Sequence, residues 1–357
     1  MTELLTEARR QLDVCNACRY CEGYCAVFPA LERRSILLDG DLAQLANLCH
    51  DCRACFQACM YAPPHEFAVD VPALLARARL DSYERFAWPR PFARAFRHPS
   101  LAVVGTTVAG VALALAAGQA GGGLLAAHAG PGAFYAVVPY VLVVVPALVA
   151  SAFVAAVLVA GMVRFWRAAG GVSRALLHAR PWLAAGREAL TLRWLRGGGG
   201  GCYYPDLERP SDVRRALHGA VVGGLLLAFT ASVAAAVLQD LLGQPPPYPV
   251  VSAPVLLGTA GGVATIAGCT GLLALRAGRA RQASLDVAFL VTLNAAAITG
   301  MLTLGLRATS ALGAALTLHL GTLAALYVTA PYGKLVHAVY RFAALLRDVG
   351  ERDAPGS

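Results

Sequence analysis

The chain has 357 residues, of which 57% are hydrophobic and 14% charged, with a formal net charge of +9 at pH 7. Soluble proteins carry about 25% charged residues, so a wholly soluble fold is excluded and a large membrane-buried part is expected. The positive balance does not point to nucleic acid, because the arginines flank apolar runs, where basic residues set membrane orientation.

The first fourteen residues, MTELLTEARRQLDV, mix acids and bases and lack the apolar core of a signal peptide. The segment that follows is therefore expected in the cytosol, where disulfides are rare and clustered cysteines read as metal ligands. Cys15, Cys18, Cys21 and Cys25 have the spacing C-x2-C-x2-C-x3-C, and Cys49, Cys52, Cys55 and Cys59 repeat it without change. Three closely spaced thiolates on one loop reach three corners of an iron–sulfur cube. In two-cluster ferredoxins the fourth corner is filled from the other motif. On that rule Cys15, Cys18, Cys21 and Cys59 hold one [4Fe–4S] cluster, and Cys49, Cys52, Cys55 and Cys25 hold a second. The competing reading is zinc, but zinc sites usually pair two CxxC units across a longer gap. The proline that often follows the fourth cysteine is displaced here, to Pro29 and Pro63.

Between the motifs Leu38, Leu42 and Leu45 fall at i, i+4 and i+7, which predicts a helix. A helical linker suits an α-helical ferredoxin fold better than a β-hairpin one. A second helix is predicted from Pro72 to about Phe86, with proline in its first turn. His50 and His65 neighbour the motifs and read as supporting or partner-docking residues. The stretch WPRPFARAFRHP is basic and aromatic, as membrane-interface segments tend to be. Residues 1–97 thus form a cytoplasmic two-cluster domain and its approach to the membrane.

Six apolar stretches follow, at about 100–117, 134–163, 216–238, 254–275, 285–306 and 312–338. Each is near or above the roughly 20 residues that span a bilayer. Residues 77–97 hold six arginines and the loop 164–215 holds ten, whereas the loops 118–133 and 239–253 hold no Lys or Arg. Arg276, Arg279 and Arg281 follow the fourth span, and Lys334, Arg341, Arg347 and Arg352 mark the C-terminal end. By the positive-inside rule the N-terminus, the cluster domain, the long loop and the C-terminus face the cytoplasm. The expected fold is all-α: an α-helical-ferredoxin-like domain with two [4Fe–4S] clusters, then a six-helix transmembrane bundle over residues 98–357. The expected location is the bacterial inner membrane. RGGGGGC in the long loop is no dinucleotide fingerprint, since no strand precedes it, and reads as a flexible turn.

Within the bundle, His218 starts the third span, His319 sits in the sixth and His337 follows at its end. His319 and His337 are 18 residues apart. In a continuous helix that is five turns, placing both on one face roughly 27 Å apart along the axis. The third span runs outward and the sixth inward, so His218 and His337 share the cytoplasmic membrane level. That arrangement suits two imidazoles holding a haem b iron, with Gly219, Gly223, Gly224 and Gly333 leaving room for the porphyrin. The bland alternative is interfacial histidines, which is the reading for His98 and His178. His319 lacks an obvious partner, His128 being a weak one, so a second haem stays open. Asn294 and Thr299 could bind a quinone or serve as interhelical hydrogen-bonding groups. Cys202 lacks metal-ligand spacing, and Cys269 reads as core packing.

The stretches LANLCHDCRACFQACMYAPPHEFAVDVP, RRALHG and LHLGTLAALYVTAPYGKLVHAVYRFAALLR resemble the tricarballylate-utilisation protein B family, over nearly the whole chain. The resemblance implies an electron-transfer partner of a flavin-dependent tricarballylate dehydrogenase, reoxidising its flavin through iron–sulfur clusters and haem. The histidine pair also resembles that of the cytochrome b subunit of respiratory nitrate reductase, whose two helices each carry two histidines; here the third span lacks the second. With no flavin motif in the chain, electrons are expected to arrive from a flavin-dependent dehydrogenase and leave through the membrane to quinone. The alternatives are the iron–sulfur/cytochrome b subunit of another respiratory complex, or a zinc-binding membrane sensor or scaffold.

Overall fold

Helices form every named element of the computed structural model, which describes residues 2–120, 123–128, 130–171, 176–197, 201–205, 207–277 and 284–353. Among the described residues the β structure is a single isolated antiparallel bridge between Cys202 and Ser211. Arg279, Arg281 and the glycines at 198–200 lie outside the described residues. The chain divides into two compact units.

The first unit gathers Met1–Arg94, Val157–Arg215 and Leu335–Ser357, three pieces remote in sequence. Its helices are α1 (Thr2–Cys18), α2 (Val27–Glu32), α3 (Asp39–Leu48), α4 (Ala54–Gln57), α5 (Val71–Phe86) and α6 (Arg90–Ala95, at the boundary). Residues 157–168 of α9 (Tyr140–Ala168), α10 (Ala179–Leu190) and α15 (Val336–Arg352) complete it. The helix predicted between the motifs is α3, and the one predicted from Pro72 is α5. At the start of α3 Asp41 accepts from the backbone N–H of Leu38 at 3.1 Å. At the start of α5 Asp70 accepts from Ala73 N–H at 3.0 Å, with Pro72 in the first turn, so orphan N–H groups are capped.

Among the contacts that bring the C-terminal helix α15 into this unit are an aromatic cluster and a set of ion pairs. Tyr340 stacks on Phe165 with ring centroids 5.4 Å apart, and Phe86 meets both rings edge-on. Gly161 on α9 makes room, since a Cβ there would come 2.7 Å from the Tyr340 hydroxyl. The ion pairs form a lattice of charges. Arg34 reaches Asp41 at 2.8 Å and Glu351 at 2.7 Å, Arg347 reaches Asp41 at 3.2 Å and Glu351 at 2.7 Å, and Arg33 pairs with Asp348. Arg352 extends the lattice to Glu188 of α10 at 3.1 Å.

The second unit holds Ala95–Ala156 and Ala216–Lys334. It contains α7 (Pro99–Ala120), α8 (Ala133–Val137), residues 140–156 of α9, α11 (Val213–Ala236, from residue 216), α12 (Ala253–Arg276), α13 (Ser284–Gly305) and α14 (Leu312–Thr329). Among the described residues six helices are long and apolar enough to cross a membrane: α7, α9, α11 with its following π-helical turn, α12, α13 and α14. The second span begins later than predicted, because residues 133–137 form the separate short α8. The sixth ends earlier. Helix α14 stops at Thr329, and the chain turns at Pro331 before α15 begins at Val336. Tyr332 and Gly333 donate their N–H groups back to the Thr329 carbonyl, at 3.1 and 2.8 Å.

Small residues let these helices approach. A Cβ on Gly321 of α14 would lie 2.5 Å from the Val111 Cα, and one on Gly110 of α7 would lie 2.5 Å from the Gly321 carbonyl oxygen. The same closeness joins α11 to α12 at Gly224 and Gly261. In lipid, close backbone packing of this kind replaces the missing hydrophobic drive between helices. Gly321→Val is therefore expected to cost more than about 3 kcal/mol, the upper end for overpacking. Thermal unfolding in detergent measures it, and an unchanged midpoint would show that α7 and α14 do not pack here.

Candidate metal centres

The end of α1 presents Cys15 and Cys18. The chain then folds back at Arg19, whose φ is 55°, and carries Cys21 round. Cys59 arrives from the turn after α4. These four thiols line one cavity, walled by Phe28, Tyr61 and Val69. Burial pushes the Cys15 thiol up to about 12, with Cys59, Cys21 and Cys18 adding to it in that order. Burial likewise raises Cys21 to about 11, followed by Cys59 and Cys18.

The second motif leaves α3 at Cys49 and winds through Asp51 and Arg53, both left-handed with φ of 51° and 62°. This turn aims the Asp51 N–H at the Cys49 sulfur, at 3.4 Å. Cys25 joins this set. Burial raises its thiol, Cys49 and Cys52 add to that, and the N–H groups of Val27 and Phe28 oppose it. Burial also lifts Cys55 well above the usual thiol range, with Cys25, Cys49 and Cys52 next. Cys25 therefore sits in the field of the second motif and Cys59 in that of the first.

The donor sets fit iron–sulfur clusters in kind. All the donors are thiols, and burial raises those of Cys15, Cys21, Cys25, Cys49, Cys52 and Cys55, so a cationic metal core that ionises them would stabilise the site and release protons. Among the described residues no group of three His, Cys, Asp or Glu converges as a single metal ion requires.

Three guanidinium groups surround the second motif. Arg79 donates to the Ala46 carbonyl at 2.9 Å. Arg341 of α15 donates to the carbonyls of Asn47 at 3.2 Å and Cys49 at 2.8 Å. Arg214 donates to the Asp51 carbonyl at 2.7 Å and to the Cys202 sulfur at 3.6 Å, with its guanidinium 3.8 Å above the Tyr204 ring. Tyr203 N–H donates to the Cys52 carbonyl at 2.8 Å. Gly197, with φ of 52°, comes so near that a Cβ would lie 3.3 Å from the Cys52 sulfur. Gly197, at the described start of the glycine run, thus packs on the motif, and Cys202 is 1% exposed beside it. Sequence reasoning missed Arg214, Arg341, Gly197 and Cys202. The only local signal was a glycine that a side chain could not replace.

His50 lies under these arginines. Its Nδ1 is 3.0 Å from the Leu48 carbonyl, and burial first, then Arg341, Arg79 and Arg214, push it well below the usual histidine range. It is neutral and acts as a loop strut. His65 accepts from the Phe67 N–H at 3.1 Å and meets the Tyr61 ring edge-on. Neither contact points at a metal.

His218 lies on α11 in the second unit, His319 on α14 in the second, and His337 on α15 in the first. Because α14 ends at Thr329, His319 and His337 belong to separate helices, and the five-turn register expected between them does not exist. Of the glycines expected to make room for porphyrin, Gly219 and Gly223 face open space. Gly224 instead packs on Gly261 and Thr265, and a Cβ on Gly333 would meet the Thr329 carbonyl at 3.0 Å. His319 Nδ1 is 3.1 Å from the Thr299 hydroxyl of α13, and Gly300 gives the ring its space. That hydroxyl already donates to the Ala295 carbonyl at 2.8 Å. It therefore accepts from His319, which puts the proton on Nδ1 and leaves the Nε2 lone pair available. Asn294 donates to Thr270 of α12 at 3.1 Å, so Asn294 and Thr299 both join helices. His128 Nε2 is 2.8 Å from the Gly123 carbonyl, a local contact. Cys269 is packed among Val221, Leu272, Leu290 and Leu293.

A family model described as the citrate utilization protein B Fer4-like domain matches residues 8–85, and one described as citrate utilization protein B matches residues 95–357. The citrate utilization protein B of Escherichia coli is 40% identical over 358 residues, covering 97% of this chain and 92% of that protein. No solved structure matches the chain.

Proposed function

The chain belongs to the citrate utilization protein B family, and from that footing we propose that it is a membrane electron carrier of tricarballylate or citrate utilisation. It takes electrons from the reduced flavin of a partner dehydrogenase and delivers them to quinone in the bacterial inner membrane. The observation that supports this most is the cavity shared by Cys15, Cys18, Cys21 and Cys59, since Cys59 comes from a separate motif. One [4Fe–4S] cluster is assigned to those thiols and a second to Cys49, Cys52, Cys55 and Cys25. One haem b is assigned to His218 and His337, with His319 the candidate ligand should a second be present. When bound, such groups supply one-electron redox centres, which no side chain here provides. The chain's own residues hold the centres and exclude water from them. Thr299 keeps Nε2 of His319 as the ligating nitrogen, and Gly219 and Gly223 leave space beside His218. The arginine-rich connections set the N-terminus, the cluster domain and the C-terminus on the cytoplasmic side, where a soluble dehydrogenase docks.

The test is the optical spectrum of anaerobically purified, detergent-solubilised protein before and after dithionite. The expected result is a broad absorbance near about 400 nm that bleaches, with sharp reduced haem b bands. His218→Ala or His337→Ala is expected to remove those bands and spare the broad absorbance. Broad absorbance without haem bands would limit the membrane helices to an anchor or quinone site. A colourless protein with bound zinc would overturn the proposal.

A further inference from the structure

The two cysteine sets differ in their surroundings more than in their spacing. The first set opens to the surface at Cys18, and its cavity walls are aromatic and aliphatic. The charged neighbours in its loop, Arg19 and Glu22, are opposite in sign and exposed. The second set is buried deeper, under guanidinium groups drawn from three remote parts of the chain. Arg79 comes from α5, Arg214 from the start of α11 and Arg341 from α15. Each hydrogen-bonds a backbone carbonyl of residues 46–51. Among the described residues Arg214 and Arg341 form no ion pair, and Asp51 is the one nearby carboxylate that couples to Arg214. Backbone N–H groups add to this field, with Asp51 directed at Cys49, Ala54 at Cys52, and Val27 and Phe28 at Cys25.

Among the described residues the positive charge of Arg214 and Arg341 has no ion-paired counter-charge. An anionic occupant supplies it, and four thiolates around an iron–sulfur core are anionic, more so after gaining an electron. Positive charge and N–H···S hydrogen bonds stabilise the reduced form and raise the reduction potential. Burial works the other way, because a more highly charged state is costlier away from water. Here the cations are buried together with the sulfurs, in the low-dielectric setting where their attraction is strongest, so they outweigh it.

Resting on the iron–sulfur reading above, we propose that the site of Cys49, Cys52, Cys55 and Cys25 is the higher-potential one. Arg79, Arg214 and Arg341 tune it, and the exposed Cys15–Cys18–Cys21–Cys59 site is where electrons arrive. One electron leaves the first site, which is oxidised, and reaches the second, which is reduced. No bond forms or breaks, and no proton is required. The reduced flavin of the partner supplies the electron, and the membrane acceptor removes it. The arginines are positioning residues that act through the thiolates they surround, and none is a ligand.

The experiment is a potentiometric titration of the purified full-length protein followed by EPR, with Cys18→Ala identifying which signal belongs to the first site. The wild type is expected to show two midpoints, the higher belonging to the second site. Arg214→Met and Arg341→Met are each expected to lower that midpoint and leave the other in place. At a fixed solution potential, the ratio of reduced to oxidised second site falls by about tenfold, which corresponds to about 59 mV for one electron. Arg341→Lys, which keeps the charge, is expected to restore most of the shift. Iron content checks that each variant is loaded, and a variant that loses iron is replaced by its lysine or glutamine counterpart. Two coincident midpoints, a higher potential at the first site, or arginine variants that leave both midpoints unmoved would overturn the tuning while keeping the clusters. No reduced [4Fe–4S] signal at all would overturn the function beneath it.

Discussion

Cys25→Ala is expected to remove about half of the bound iron and the redox signal of Cys49, Cys52 and Cys55, although Cys25 lies in the other motif. Three observations support the exchange. The thiol of Cys25 is coupled to Cys49 and Cys52. Cys59 lines the cavity of Cys15, Cys18 and Cys21. The N–H groups of Val27 and Phe28, at the start of α2, face the Cys25 sulfur and would support it as a thiolate ligand. Cys59→Ala is the mirror experiment and should remove the first site's signal instead. The two variants are told apart by their response to Arg341→Met, which acts on the second site alone. Iron analysis and low-temperature EPR on the dithionite-reduced protein read the outcome. If Cys25→Ala removes the signal that is insensitive to Arg341, each motif closes on its own four cysteines and the crossed assignment is wrong.

The parts of this architecture that follow local rules could be read from the chain directly. The leucine period of i, i+4, i+7 locates α3, although Leu38 is its exposed N-cap and residues 41–48 are buried on every face rather than on one. Asp70 and Pro72 start α5 because Asp70 accepts from the Ala73 N–H and Pro72 has no N–H to be satisfied. Long apolar runs give the spans because backbone polar groups in lipid must pair within a helix. What was not legible depends on contacts between distant residues. Arg214 and Arg341 read as orientation charges, and no spacing rule connects residue 341 to the carbonyl of residue 49. The glycine run read as a turn, while the constraint on Gly197 comes from the Ala54 side chain, more than a hundred residues earlier, and from the Gly201 carbonyl, each 2.7 Å from where a Cβ would stand. The sixth span was drawn through to residue 338 because the apolar composition continues past Pro331. The break at Thr329 is decided by carbonyl capping from Tyr332 and Gly333. Beyond the break, the charged residues of α15 read only as the basic C-terminal end of the chain. Their partners are Arg33, Arg34 and Asp41, again remote in sequence.

Ending the chain before Val336 is expected to cost the first unit its bound iron, even though every cysteine ligand is retained. Tyr340, Leu345, Leu346 and Val349 of α15 are each under 5% exposed, and each contributes about 1.5–3 kcal/mol by burial. Their loss together, about 6–12 kcal/mol, is of the same size as a typical domain's margin of roughly 5–15 kcal/mol. The charge lattice tips the balance. Without Asp348 and Glu351, Arg33 loses its carboxylates and Arg34 keeps only Asp41. The single substitution Arg34→Met isolates this second term. It leaves Asp41 and Glu351 sharing Arg347, and breaking a buried pair by removing one partner costs about 3–5 kcal/mol. Arg34 is 10% exposed and its partners 9% and 14%, so water recovers little of that. Arg34→Met is thus expected to lower the temperature at which the cluster absorbance is lost, and the truncated chain to lack that absorbance at all temperatures. If the truncated chain retains full iron, α15 merely covers the surface. The three-part assembly of this unit would then have to rest on α9 and the 193–214 segment instead.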